Sequence, residues 1–291
     1  MAILGVLSLL VIQVLSSSLR IKKREDARVE VQQNVRAAAQ IIAEDLRSST
    51  LLHVWNADAG DCASGVPCTG PDQLAVLVVT GVLSRVPATP GSAFSGATLT
   101  PVCDARGFVD GGLALLSNGS QVALLRVTQV EASRDPALPC SPSNADLIHH
   151  DEDPTSGTWS NSPYLLKADL ITYRTLPDPG DPGRNLLFRS NGYDLTHPLA
   201  DGTGVVAFDI QSLSVEYGVP QDPGDPSSRL VFFPSLEDAA SFLGTGYTAL
   251  PDGTGTYVGR ILKAIRITLT GSSPASAASS YRLTQTVELR R

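Results

Sequence analysis

The sequence predicts an α+β fold, with a long N-terminal helix packed on an antiparallel β-sheet domain that carries long loops. Three observations carry that prediction. Helix breakers are absent early: none of the 20 prolines precedes Pro67 and, of 25 glycines, only Gly5 precedes Gly60. Apolar residues recur every three to four positions in this first part and every two positions in the last part, which separates helix from strand. Clusters of Pro, Gly, Asp and Asn cut the rest into strand-length pieces. With 291 residues, 42% of them hydrophobic, the chain can bury a core, and a charged share of 18% is too low for a chain kept unfolded by its charge.

The first element is expected to divide into two parts. Residues 1–19 carry no charge, and Ile3, Leu4, Val6, Leu7, Leu9, Leu10, Val11, Ile12, Val14 and Leu15 make them apolar on every side of a helix. At 1.5 Å per residue the segment covers roughly 28 Å, close to the ~30 Å hydrocarbon layer of a bilayer, so it reads as a transmembrane or helix-bundle segment. A cleaved signal peptide is the alternative, but no basic region precedes the run and no A-x-A-like cleavage site follows it. Arg20, Lys22, Lys23 and Arg24 end the run at a membrane surface. Residues 20–50 continue the helix, with Val31, Val35, Ala38, Ala39, Ile42 and Leu46 on one face and Arg36, Gln40, Glu44 and Arg47 elsewhere. That stripe is expected to lie on the globular domain, and Ser48, Ser49 and Thr50 mark the helix end. An ordinary amphipathic helix of 27–48 alone is the alternative; continuity with the apolar run favours one rod of about 48 residues, on the order of 70 Å.

Residues 51–291 form the expected β-rich globular domain outside the cytoplasm. Strands are predicted over 74–80, 113–117, 121–131, 165–176, 185–190, 205–218, 229–233, 260–270 and 281–290. Asn118-Gly119 between two apolar runs signals a hairpin, and a glycosylation sequon at Asn118 is explained by that turn. Ile261, Ile265, Ile267 and Leu269 alternate with Arg266 and Thr268, and Tyr281, Leu283, Val287 and Leu289 with Arg282, Thr284 and Glu288, as in half-buried antiparallel strands. Val206, Phe208 and Ile210 are out of phase with Leu213, Val215 and Tyr217, which calls for a bulge near Gln211 and Ser212. Asp178-Pro-Gly-Asp-Pro-Gly183 and Asp222-Pro-Gly-Asp-Pro226 read as turns. Residues 84–112 and 132–163 read as long polar loops, available as binding surfaces.

Cys62, Cys68, Cys103 and Cys140 are even in number, lie in loops and lack zinc spacing, so they are disulfide candidates in an oxidising compartment. The compact DCASGVPC unit suggests a Cys62 to Cys68 bridge and leaves Cys103 for Cys140, with two other connectivities open. This places the body on the same side as the basic cluster, against the positive-inside tendency.

Charge and motifs exclude several functions. Residues 1–50 hold seven Lys/Arg against five Asp/Glu, and residues 51–291 hold 15 against 24. No basic run follows Arg28, so autonomous nucleic-acid binding is not expected. No nucleotide-binding or hydrolase motif and no nucleophile, base and orienter set appears, so neither an enzyme nor a cofactor is expected. His149, His150, Asp151 and Asp153 are the candidates for a metal, in a loop context that reads instead as solvated. The Asp-Pro-Gly-Asp units lack a twelve-residue calcium loop. Trp55 and Trp159 are expected to be packed.

The segments MAILGVLSLLV and VQQNVRAAAQIIAEDLRSST, then LITYRTL, NLLFRSN, HPLADGTGVVAFDIQSLSVEYGV, LKAIRITLTG and YRLTQTVELRR, resemble type IV pilin-like proteins, in particular PilW-like minor pilins and the pseudopilin J group of type II secretion. The resemblance spans most of the chain. It implies a pilin-like fold and a subunit that waits in the bacterial cytoplasmic membrane, then joins other major and minor pilins through its N-terminal helix in a surface fibre, at or near the tip. The family's processing glycine, the aromatic residue after it and the early glutamate have no counterpart here. The sequence is therefore expected to begin about ten residues inside the prepilin motif, with any contact to prepilin peptidase lying upstream. A membrane-anchored adhesin or DNA receptor using the two long loops is the alternative of another class.

Overall fold

A computed structural model describes residues 2–48, 73–87, 98–118, 122–150, 163–191, 204–225, 227–248, 256–272 and 280–289. Cys62, Cys68, Trp55, Trp159, Asp151 and Asp153 lie outside the described residues, as do the side chains of residues 2–11, among them Ile3, Leu4, Val6, Leu7, Leu9, Leu10 and Val11.

Helix α1 runs unbroken over Ala2–Ser48, the single rod that the early lack of helix breakers predicts. It is followed by an antiparallel body. β1 (Gln73–Arg85), β2 (Leu99–Val102), β3 (Leu113–Ser117), β4 (Val122–Glu131), β5 (Asp146–His150), β6 (Tyr164–Asp178), β7 (Asp181–Asn191) and β8 (Val205–Phe208) form one sheet. Its path is β2-β5-β4-β3-β6-β7-β8, and β1 pairs with β6. Tyr164–Ala168 of β6 pair with β3 and Ile171–Asp178 with β7, while β1 runs along the other edge. β6 is thus the hub of the large sheet. A second sheet has the order β10-β9-β13-β14, from β9 (Ile210–Pro220), β10 (Leu230–Phe233), β13 (Ala264–Ser272) and β14 (Ser280–Glu288). Between its strands lie helix α2 (Leu236–Leu243) and the short parallel pair β11 (Tyr247–Thr248) and β12 (Thr256–Tyr257).

β3 and β4 pair as an antiparallel hairpin that closes on the Ser117 to Val122 pair, as expected; the connection itself, Gly119 included, lies outside the described residues. The turn expected over 178–183 is shorter than the unit: Asp178 pairs with Asp181 and Asp181–Gly183 open β7, while the second unit is a turn as expected; Gly180 N donates to Asp178 Oδ1 at 2.8 Å, Gly183 N to Asp181 Oδ1 at 3.2 Å and Gly224 N to Asp222 Oδ1 at 2.9 Å. These carboxylates serve their own backbones. The bulge lies where the change of phase requires it: Thr270 pairs with Ser212 and Gly271 with Ile210, leaving Gln211 as the extra residue.

Four further expectations are corrected. The strand expected over 205–218 is two strands, broken at Asp209, whose φ of 63° is left-handed. The break reverses the inward phase of β8, so Ala207 is buried and Phe208 is 43% exposed. The excursions 84–112 and 132–163 are not wholly loop: β2 and β5 lie within them, pair with each other and join the sheet through β4. Helix α2 was not foreseen, although Ser235 caps it by accepting from Asp238 N at 3.1 Å. Ile261 precedes β13 and is only half-buried.

The main core joins both sheets to the helix. Val31, Val35, Ala38, Ile42 and Leu46 are all buried, as their spacing predicts, against Leu74, Val76 and Leu187 of the large sheet and Leu213, Val215, Ile267 and Val287 of the small one. A second cluster, around Val102, Phe108, Leu125 and Ile148, holds β2 and β5 to the far end of the large sheet.

Candidate functional site

Two features could serve function: the part of α1 that leaves the body, and the lobe built by β2, β5 and their connections.

From Val31 to Leu46 one face of α1 is shut into the core, and the fit is close. A Cβ on Gly271 would lie 2.7 Å from Val31 Cγ1 and 2.7 Å from Val35 Cγ2, so glycine lets the helix rest on the β13 backbone. Polar contacts fix the helix at both ends of this face. Asp45 accepts from the Tyr173 hydroxyl and, at 2.9 Å, from Arg189 Nε. Burial first, then the Asp45 carboxylate, pushes the Tyr173 hydroxyl above its ordinary value. Nearer the exit, Asn34 Nδ2 donates to the Phe208 carbonyl at 3.5 Å. Beneath it Arg184 grips the buried Asp209 through Nε at 2.8 Å and Nη2 at 3.0 Å, and its guanidinium lies 4.6 Å from the centre of the Phe208 ring. The hydrogen bond to the Asp209 carboxylate raises the Arg184 pKa above its ordinary value.

Between Ile12 and Asp26 the helix has no cover. Every residue from Ile12 to Asp26 is exposed, a stem of about 22 Å at 1.5 Å per residue. Ile12 is 63% exposed, Val14 62%, Leu15 57% and Leu19 60%, and these residues point in different directions around the axis. Scattered exposed apolar residues are ordinary, but a helix greasy on several sides with no packed partner is not a water-stable surface. Ser16 Oγ and Ser17 Oγ donate to the carbonyls of Gln13 and Val14, at 3.0 and 2.8 Å, so even the hydroxyls are satisfied within the helix. Among the described residues no helix is long and apolar enough to cross a membrane; the expected span falls largely on residues whose side chains lie outside them.

The lobe is held by covalent and polar ties. Cys103 and Cys140 are disulfide-bonded, the pairing favoured by the spacing of the four cysteines. Arg134 Nη1 donates to the Cys103 carbonyl at 2.5 Å, and both oxygens of Asp146 accept backbone N–H bonds, from Ala105 and Arg134, at 2.9 Å. A shallow cavity of about 260 Å³ opens between Cys103, Arg106, Arg134 and Asp146. In its wall the Arg106 guanidinium bonds Asp104 and holds that carboxyl down to about 2, while Arg134 and Asp146 are bonded to backbone groups.

Of the four candidate metal ligands Asp151 and Asp153 lie outside the described residues, and the two that are described do not converge. His149 and His150 are successive residues of β5 and so point to opposite faces of the sheet. His150 is buried with Nε2 3.0 Å from Thr100 Oγ1, while His149 Nε2 lies 3.2 Å from Glu131. Among the described residues no three potential ligands cluster. What sequence reasoning missed is the polar locking of the helix by Asp45, Tyr173, Arg189, Arg184 and Asp209. One signal was present, an acidic residue beside Leu46 on the docking face.

Comparison of the chain with protein-family models, with curated proteins and with solved structures gave no match.

Proposed function

We propose that the protein is a pilin-like assembly subunit, a PilW-like minor pilin that enters or primes a type IV pilus through α1. The observation that carries this reading is the unbroken helix whose second half is locked into the body and whose stem exposes Ile12, Val14, Leu15 and Leu19. Such a stem suits an environment of lipid tails before assembly and of other apolar helices after it. A rigid lock at Asp45 and Gly271 suits a subunit that transmits load between stem and body. The Cys103 to Cys140 bond supports a body exposed to an oxidising compartment, outside the bacterial cytoplasmic membrane. In this reading the protein is structural, with no catalytic role.

The pseudopilin J role in type II secretion rests on the same residues. Affinity purification of the full-length protein from its host, followed by identification of its partners, tests both: pilus motor and pilin subunits support the first role, and secretion-system subunits the second. Absence of both, together with exclusion from any fibre, rejects the assembly reading.

A further inference from the structure

The exposed stem of α1 ends in a band of cations. Arg20, Lys22, Lys23 and Arg24 fall within five consecutive residues of an unbroken helix, and all four are exposed. At about 100° per residue, Arg20 and Arg24 lie together on the flank that leads up to the buried Val31 and Val35, Lys22 lies nearly opposite, and Lys23 lies between Lys22 and Arg20. Ile21 takes the remaining flank. The cations therefore form a collar around the helix, not a single face. Below the collar stand the exposed Ile12, Val14, Leu15 and Leu19, and above it Glu25 and Asp26 lead to the half-buried Ala27 and the docked Val31.

The dimensions of the collar fit one layer of a bilayer. From Arg20 to Arg24 the helix rises about 6 Å, and the headgroup layer on each side of a ~30 Å hydrocarbon core is about 5–7 Å thick. From Arg24 to Val31 is about 10 Å more, so the body begins just beyond that layer. The charges are also available. Among the described residues none of the four cations is in an ion pair, although Lys22 and Asp26 have the spacing of a helical pair.

Resting on the assembly reading above, we propose that this collar is a docking surface for the anionic phospholipid headgroups of the membrane in which the stem waits. Charge complementarity selects the occupant: a guanidinium takes two phosphate oxygens through its planar fork, and an ammonium supplies a compact charge beside them. A nucleic acid also offers phosphates, but it would leave Ile12, Val14, Leu15 and Leu19 in water, whereas a bilayer covers the apolar stem and the cations together. The collar has a second consequence for an acidic subunit. Residues 51–291 hold 24 Asp/Glu against 15 Lys/Arg, so an anionic membrane repels the body, and Arg20 to Arg24 supply the attraction that keeps it seated there.

The test uses the full-length chain in uncharged detergent micelles carrying equal amounts of phosphatidylglycerol and phosphatidylcholine, with the lipids retained on the protein counted by native mass spectrometry. Wild type is expected to retain phosphatidylglycerol over phosphatidylcholine by on the order of tenfold, as several cations near an anionic surface should produce. Arg20→Gln/Lys22→Gln/Lys23→Gln/Arg24→Gln is expected to bring the two lipids within about twofold of each other, and Lys22→Gln/Lys23→Gln to fall between. Arg36→Gln/Arg47→Gln, which removes two exposed cations of α1 away from the collar, is expected to keep the wild-type preference. Far-ultraviolet dichroism checks that each variant keeps its helix. A wild type that enters micelles but shows no lipid preference overturns the proposal and leaves the assembly reading standing. Equal losses in the collar and Arg36/Arg47 variants also overturn it, since overall charge would then account for the effect. So does displacement of phosphatidylglycerol by an equal concentration of inorganic phosphate, or by a DNA duplex that stays bound in its place. A wild type that enters no micelle overturns the assembly reading itself.

Discussion

The Tyr173 hydroxyl, on the hub strand β6, donates to the Asp45 carboxylate in the last turn of helix α1, and Arg189 Nε donates to the same oxygen at 2.9 Å and lies 3.2 Å from the Tyr173 oxygen. A carboxylate near a helix C-terminus faces the negative end of the helix dipole. The Arg189 cation offsets that, and the hydroxyl satisfies a second lone pair. Tyr173→Phe removes one donor and leaves the ion pair, so it should cost about 1–3 kcal/mol, as for a hydrogen bond to a charged group. Urea unfolding followed by fluorescence and by far-ultraviolet dichroism measures it. An unchanged midpoint would mean the lock contributes nothing.

The same contact makes stability depend on alkali. The Tyr173 pKa is raised in the folded protein above the ordinary 10.0, by burial and by Asp45. Below that value both states hold the proton and the contribution is complete. Above it the unfolded chain releases the proton while the folded chain retains it, so stability falls as pH rises from about 10. Unfolding curves between pH 8 and 11 should show the fall in wild type and a shallower one in Tyr173→Phe. Parallel curves would reject the linkage.

Gly271→Ala tests how closely the helix rests on β13. The new methyl would lie 2.7 Å from atoms of Val31 and Val35, and overpacking of this kind costs about 1–3 kcal/mol. Adding Val31→Ala and Val35→Ala should recover part of the alanine penalty. The coupling from a double-mutant cycle is the measured quantity, and a value of zero would place the helix farther from the strand.

Removing the lobe's disulfide tests how far that lobe depends on covalent closure. Cys103 and Cys140 are 37 residues apart in sequence, and closing a loop of that size is worth roughly 3–4 kcal/mol through the unfolded chain. Cys103→Ser/Cys140→Ser should lower the unfolding midpoint accordingly, and hydrogen exchange should rise first in β2 and β5. Uniform loosening across β6 and β13 would show that the lobe is not a separate unit of stability.

What could be read from residues alone follows how regular each signal is. The helix was legible because Val31, Val35, Ala38, Ile42 and Leu46 repeat over several turns and no proline interrupts them. β13 was legible for the same reason at period two. β2 and β5 were not: Leu99–Val102 contains Pro101, and Asp146–His150 is five residues with three ionisable side chains. Each is held by a neighbouring strand and by Ile148 in the second core, a tertiary effect with no local pattern. The Asp209 break was half legible. The phase change placed the bulge at Gln211, but the left-handed aspartate is stabilised by Arg184, 25 residues away in sequence.

The final prediction separates stem from body. Leu15 and Leu19 are 57% and 60% exposed and touch no part of the core, so Leu15→Glu or Leu19→Glu should leave the unfolding midpoint of the body within about 0.5 kcal/mol of wild type. In an apolar environment the same change is costly, since a charge placed centrally in a membrane helix costs about 2.5–3.5 kcal/mol by insertion measurements. Vesicle flotation of the full-length variants should therefore fall by on the order of tenfold or more, with fibre incorporation falling in parallel. The two readouts must diverge for the assembly reading to stand. If flotation and incorporation match wild type, the exposed leucines have no role in lipid or in a helix bundle; if body stability falls as well, they are part of the fold after all.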